Sequence, residues 1–295
     1  MRFKVAYYPG CEARTVNRAA DQATRKVCER LGIELVDLEN AGCCGSMEMR
    51  INDPDVGQAL SGRVLALAEA TGAYKLFTIC NTCAFNLVDA ASKYNNSEEE
   101  RSTLNGVLGE YGRSYKGTVD VITLPWLLIR LVGYVAVREA VQRVLTDLKI
   151  APFYGCHMIR PGSHYGFENP MKPTSIDILV GEFLDGGTVD YPAKALCCGF
   201  HTLLTEEKVS YLSIGHVLGN AVEQGADCVV TPCTQCATAL DVYQGDAVKE
   251  VQGNFEIPIL HLSQLVGLAI GIPREELGLG KHIVSPMKLL DKKGL

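Results

Sequence analysis

The chain has 295 residues, 47% of them hydrophobic and 21% charged, with a formal net charge of −6. That length suffices for two ordinary domains with their own cores. The acidic balance, without any block of lysine or arginine, argues against a nucleic-acid partner. Met1-Arg2-Phe3-Lys4 runs straight into a strand-like segment and lacks the apolar stretch of a secretory signal, so a cytoplasmic location is expected. Twelve cysteines in that compartment point to metal or redox chemistry rather than structural disulfides.

In chain order, Phe3 to Tyr8 reads as a strand ending at Pro9-Gly10 and delivering Cys11 to a turn. Ala19 to Leu31 has a helical period and stops at Gly32. Ile33 to Leu38 alternates as a strand leading to Cys43-Cys44-Gly45. Asp53 caps a helix with Pro54 at its first position, running to about Thr71 and stopping at Gly72. Tyr74 to Ile79 is a buried-type strand with Cys80 at its end and Cys83 one turn into the next helix. Ser97 with Glu100 resembles a capping box. Gly117 to Ile122 reads as a fourth strand and Val137 to Leu148 as an amphipathic helix. The apolar run Val121 to Val137, broken by Pro125 and Arg130, falls short of the ~20 residues of a membrane span; a buried or partner-facing helix is expected, with membrane-surface contact as the alternative.

The second half repeats the first. Ile150 to Tyr154 is a strand ending at Gly155-Cys156, Ser175 to Leu184 a helix stopped by Gly186-Gly187, and Thr188 to Tyr191 a short strand before Cys197-Cys198-Gly199. Tyr211 to Gln224 is a helix, and Cys228 to Thr231 a buried strand ending at Cys233. Gly62 aligns with Gly215, Val64 with Val217, Ala68 with Ala221 and Cys80 with Cys233 without a gap, which indicates duplication. The expected fold is therefore α/β, with two pseudo-symmetric Rossmann-like halves over residues 1–147 and 148–295. Each is a small parallel sheet flanked by helices, with cysteine loops at the strand C-termini. Ile259 to Ile270 reads as core, and the tail from Pro273 as an arm for a partner.

Ten cysteines fall into two sets, C-x31-CC-x35-C-x2-C and C-x40-CC-x34-C-x2-C. Each set is expected to converge at one edge of its half, with thiols near helix N-termini favoured as thiolates. Gly45 and Gly199 are expected to let the backbone approach a bulky inorganic group. A structural zinc or a cubane iron–sulfur cluster takes four protein ligands, so a set of five implies a spare thiol or an unusual cluster of several irons. Iron–sulfur binding, a zinc-bearing interaction module and unmetallated thiols are the readings in play. Cys28 and Cys228 lie outside both sets and read as core.

This pattern resembles the duplicated cysteine-rich CCG motif of the B-type (HdrB) component of heterodisulfide reductase and its relatives, most closely from Ala151 through Cys156-His157 and Arg160-Pro161 to Cys197-Cys198-Gly199. The resemblance implies two non-cubane [4Fe-4S] clusters. Cys11, Cys43, Cys44, Cys80 and Cys83 would hold one, and Cys156, Cys197, Cys198, Cys233 and Cys236 the other. It implies an oxidoreductase acting on sulfur groups, splitting or forming a disulfide or sulfane-sulfur bond of a small substrate between the clusters. It also implies a ferredoxin-like iron–sulfur subunit and a flavoprotein subunit as partners. Because the motif recurs in succinate and fumarate reductase subunits, an electron-transfer or anchor subunit is the alternative.

His157 and His201 are candidate catalytic groups that protonate a departing thiolate or orient a cluster sulfur; the competing reading is a loop histidine satisfied by backbone. Arg160, His164 and Lys172 are candidates for holding an anionic substrate, and Met47 and Met49 for lining a pocket or filling core. Neither G-x-G-x-x-G nor a Walker pattern occurs, so electrons are expected to arrive through partner proteins rather than a resident flavin or nicotinamide.

Overall fold

A computed structural model describes residues 3–162 and 168–295; His164 lies outside the described residues. Four strands, β1 (Phe3–Tyr7), β2 (Ile33–Asp37), β3 (Lys75–Thr78) and β4 (Asp120–Thr123), pair in parallel in the order β2-β1-β3-β4. A second sheet repeats this with β5 (Lys149–Pro152), β6 (Gly187–Thr188), β7 (Cys228–Thr231) and β8 (Ile259–His261) in the order β6-β5-β7-β8. The fold is α/β, with two Rossmann-like halves. In each sheet the strand order reverses at one point, between β1 and β3 and between β5 and β7, and a crevice opens there at the strand C-termini. Cys11 and Cys80 follow β1 and β3, and Cys156 and Cys233 follow β5 and β7. The topology alone therefore brings cysteines to both switch points.

Strand alternation divides the interior into two cores, each running through both halves. Val5 and Tyr7 of β1 face one, with Ala20, Ala23 and Val27 of the Arg18–Arg30 helix and Leu262, Leu265 and Val266 of the Leu262–Ala269 helix. Ala6 and Tyr8 face the other, with Val64, Leu65, Val217, Leu218 and the buried cysteines of the two sets. The expected caps form: Asp53 accepts from the Val56 amide at 3.2 Å, and Ser97 from the Glu100 amide at 3.2 Å. Gly32, Gly72 and Gly225 follow their helices with positive φ.

Three expectations need correction. The Val137–Leu148 helix is displaced to Tyr134–Ala140. Val141 is extended, and the amides of Gln142 and Arg143 both donate to the Ala269 carbonyl, so docking onto the other half ends the helix. The strand before the second Cys-Cys-Gly is only Gly187–Thr188, because Pro192 opens a 3-10 turn. Ile259 to Ile270 is core, as expected, but comprises a strand and a helix. The tail is not a free arm. Gln22 Nε2 donates to the Glu276 carbonyl at 2.9 Å, Lys26 pairs with Glu276 at 2.7 Å, and Leu277, Leu279 and Leu290 are buried.

The apolar Leu124–Val137 stretch is two pieces. A turn at Leu124–Trp126 continues as a π-helix, Leu127–Val132, and breaks at Gly133 (φ 85°). Leu124, Trp126, Leu127 and Leu128 are buried, so its apolar face belongs to the interior. No helix among the described residues is long and apolar enough to cross a membrane.

Candidate metal centre

None of the twelve cysteines is paired in a disulfide. In the first half Cys11 opens a one-turn helix after β1, Cys80 is the N-cap of the Asn81–Asn96 helix, and Cys83 lies in that helix's first turn. The second half places Cys233 and Cys236 in the same way on Thr234–Val242. The thiols neighbour one another in the order Cys11, Cys43, Cys44, Cys83 and Cys80, each acting on the ionisation of the next, and Cys44 Sγ lies 3.5 Å from Cys83 Sγ. Cys156, Cys197, Cys198, Cys236 and Cys233 repeat the sequence. Cys80 then meets Cys233, so the two sets join across the seam between the halves. There the Asn81 amide donates to Cys233 Sγ at 3.3 Å, Asn81 Nδ2 to the Tyr154 carbonyl at 3.1 Å, and the Thr234 amide to the Ile79 carbonyl at 3.2 Å.

The electrostatics repeat as well. Cys43 is drawn down to about 2 by hydrogen bonds from Cys11 and then Cys44, and Cys197 to about 2 by those from Cys156 and then Cys198. Their neighbours move the other way: Cys44 is pushed up to about 11 by its bond to Cys43, and Cys83 rises through its bonds to Cys44 and Cys80 and through burial. At the seam, burial opposes ionisation of Cys233, but bonds from Cys236 and Cys80 prevail and lower it, while Cys80 rises. Crowded thiols thus share protons, because adjacent thiolates repel; a polynuclear cation in their midst would release those protons. Soft sulfur donors suit iron–sulfur chemistry. Among the described residues no group of three or more His, Cys, Asp or Glu side chains is arranged to hold a single metal ion. Two sets of five soft sulfur donors are chemically compatible with iron–sulfur groups.

Gly45 and Gly199 have other neighbours than expected. A Cβ on Gly45 would sit 3.2 Å from the Gly57 backbone, and one on Gly199 2.9 Å from Ser210 Cα. These glycines let the Cys-Cys-Gly loop lie on the following helix. The glycines that face sulfur are Gly10 and Gly155, where a Cβ would come 3.0 Å from Cys83 Sγ and 3.1 Å from Cys236 Sγ; they precede Cys11 and Cys156 directly, which was the available signal.

His157 and His201 converge on one hydroxyl of the other half. Thr82 Oγ1 lies 3.0 Å from His157 Nδ1 and 3.1 Å from His201 Nε2, and His201 Nδ1 lies 2.9 Å from Glu48 Oε1. With His201 neutral, the Glu48 carboxylate fixes its proton on Nδ1, so Nε2 accepts from Thr82 and Thr82 accepts from His157 Nδ1–H. Burial lowers His157, favouring its neutral form with a free Nε2 lone pair. Phe85 stacks on His157 at 4.9 Å, beneath the Arg50 guanidinium at 4.8 Å. Thr82, Asn81 and Glu48 were missed from sequence, although Asn81 and Thr82 are the residues between Cys80 and Cys83. Arg160 donates to the Ala195 and Pro170 carbonyls, which ties it into its loop. Lys172 and Met49 are exposed and Met47 partly so.

His261 was also missed. It is buried at the end of β8, takes the Ser263 amide at Nδ1 (3.3 Å), and turns Nε2 toward the carbonyls of Pro232 and Ile79 without a well-formed bond. Those carbonyls immediately precede Cys233 and Cys80. Burial lowers His261 to about 4. The unfolded chain takes up a proton near pH 6.5 and the folded chain only near 4, so stability is full above 6.5 and lost as pH falls toward 4. A His261→Asn chain is expected to lose roughly 1–2 kcal/mol less than the wild type between about pH 7 and 5, measured by urea unfolding at each pH.

The cysteine-rich CCG domain model matches twice, over residues 5–88 and 150–241. The chain belongs to the HdrB-like family of heterodisulfide reductase components with duplicated CCG domains. This CCG protein is 35% identical over 289 residues to the 8-methylmenaquinol:fumarate reductase membrane anchor subunit of Wolinella succinogenes, covering 98% of this chain and 100% of that one. It is 30% identical over 294 residues to the B-type component of the ferredoxin:CoB-CoM heterodisulfide reductase of Methanosarcina mazei, covering 98% and 96%. A crystal structure of a hypothetical protein from Helicobacter pylori shares the fold with a TM-score of 0.79 at 18% identity; the match covers 96% of this CCG protein and 52% of that chain, about half its length.

Proposed function

We propose that the chain is the iron–sulfur subunit of a heterodisulfide reductase-like complex and splits, or forms, a disulfide or sulfane-sulfur bond at the seam between two non-cubane [4Fe-4S] clusters. The observation that carries this is the meeting of two complete five-thiol sets at Cys80 and Cys233, with His157 and His201 spanning the same seam. When bound, the clusters supply two one-electron donors and iron sites for the sulfurs of a bond whose cleavage takes two electrons. The ten cysteines hold them. Thr82 and Glu48 set the histidine tautomers. His157, through Nε2, accepts and returns the proton that a thiol gains or loses. Electrons arrive from a ferredoxin-like subunit and a flavoprotein subunit.

Removing the shared hydroxyl tests the role of the histidines. Thr82→Val is expected to keep its iron and its fold while turnover of a reduced dye with a small disulfide drops by roughly 10–100-fold. Unchanged turnover would show that the histidines take no part. The Wolinella relative, similar over the whole chain, favours a second reading, an electron-transfer and anchor subunit of a dehydrogenase complex. Dye-driven disulfide reduction without partner subunits supports the first reading. Its absence in an iron-replete chain supports the second.

A further inference from the structure

One hydrogen-bond donor to sulfur distinguishes the first cysteine set from the second. Main-chain amides reach the second set, from Gly199 to Cys197 Sγ at 3.4 Å and from Asn81 to Cys233 Sγ at 3.3 Å. The first set is reached by a side chain, Asn86, which is 3% exposed. Asn86 lies three residues after Cys83 on the Asn81–Asn96 helix, and residues at that spacing share a face. Its Nδ2 stands 2.9 Å from the Ser46 carbonyl oxygen and 3.6 Å from Cys44 Sγ. A carbonyl only accepts, so the atom facing it is the amide nitrogen, and the second hydrogen of that nitrogen is left for the sulfur. With Cys83 aligned to Cys236, Asn86 aligns with Ala239, whose buried methyl has nothing to donate.

We propose that Asn86 is a positioning residue for the group held by the first set: it fixes Cys44 and, by donating to its sulfur, makes that group easier to reduce. The inference rests on the iron–sulfur reading above and adds a residue outside the ten cysteines. A reduced iron–sulfur group carries more negative charge on its sulfurs than an oxidised one, and hydrogen bonds to those sulfurs help set its potential. Asn86 and Cys44 are both buried, so water competes little for this bond. The same nitrogen holds the Ser46 carbonyl, and Ser46 carries a positive φ of 52°. One side chain therefore holds both the exit of the Cys43-Cys44-Gly45 loop and a sulfur within it. Ser61 anchors that loop in another way. Its hydroxyl gives its one hydrogen to the Cys44 carbonyl oxygen, at 2.8 Å, and so has none for a sulfur.

Redox titration of anaerobically reconstituted full-length chains with dithionite and mediators, read by EPR, tests it. Asn86→Ala gives the first half the residue of the second, and Asn86→Leu keeps the bulk of the side chain without the donor. Both are expected to retain the iron of the wild type. One of the two cluster signals is expected to move to lower potential. At a fixed solution potential its ratio of reduced to oxidised group falls roughly 10-fold, about 59 mV for a one-electron couple. The other signal is expected to keep its midpoint. Ser61→Ala, the control for a loosened loop, is expected to lower the melting temperature and leave both midpoints in place. Unchanged midpoints in the iron-replete Asn86 variants, or an equal shift in Ser61→Ala, would overturn the inference and leave the cluster reading standing. Loss of about half the iron from both folded Asn86 variants would show a holding role without the tuning one and overturn it as well. A wild-type chain that takes up no iron would instead sink the cluster reading, and this inference with it.

Discussion

Replacing Cys80 and Cys83 together with serine is expected to remove about half of the iron bound per chain and nearly all disulfide turnover. Serine oxygen is a hard donor and does not take the place of a thiolate on iron. Both sulfurs are buried, with Cys83 3.5 Å from Cys44, so water has no ready access to fill the gap. The second set keeps its five thiols, which is why the iron loss stops near half. Turnover behaves differently, because the bond needs two electrons delivered on both sides and one remaining set supplies them singly. The variant also changes the side chain that neighbours Cys233 across the seam, so the EPR signal of the surviving cluster is expected to shift relative to the wild type. Iron analysis of anaerobically reconstituted protein reads the first effect and the dye assay the second. Retention of all the iron would remove these cysteines from the metal centre.

Gly199→Ala is expected to destabilise the fold by roughly 3 kcal/mol or more and to lower the melting temperature by roughly 5–10 °C. At φ 75° an alanine carries a left-handed penalty of about 1–2 kcal/mol. The added Cβ would also stand 2.9 Å from Ser210 Cα and 3.0 Å from its carbonyl oxygen, and neither is a flexible group. Relief comes only by lifting the Cys197-Cys198 loop off the Glu207–Glu223 helix. Gly72 supplies the control: its φ is 73°, but nothing lies within 4 Å of its added Cβ, so Gly72→Ala carries the backbone penalty alone, about 1–2 kcal/mol. Calorimetry on both variants separates close approach from backbone strain, and equal losses would refute the packing role given to Gly199.

The cysteine framework was legible because Cys80 and Cys233 come directly after a strand, and Cys11 and Cys156 a few residues after one, and strand ends are written locally as an apolar run meeting a glycine, proline or cysteine. The duplication was legible for the same reason, through the gapless run from Gly62 to Cys80 and from Gly215 to Cys233. The seam was not. Thr82 meets His157 and His201 across 75 and 119 residues, and nothing local to Asn81-Thr82 announces partners in the other half. β8 escaped because three buried residues running directly into an apolar helix show no change of period, and His261 was lost with it. Gly45 and Gly199 were picked out as important positions, but the sequence did not say whether the space they leave faces a ligand or a helix; only the packing decides that.

The face of the Arg18–Arg30 helix that carries Ala20 and Ala23 is covered by Leu262–Ala269 and the segment around Leu277. A ribosome must therefore synthesise more than two hundred further residues before that surface is sheltered. Until then the nascent N-terminal part carries sticky aliphatic surface and five reactive thiols, a hazard for premature oxidation. Shortening the C-terminal region would accordingly harm residues at the opposite end of the polypeptide.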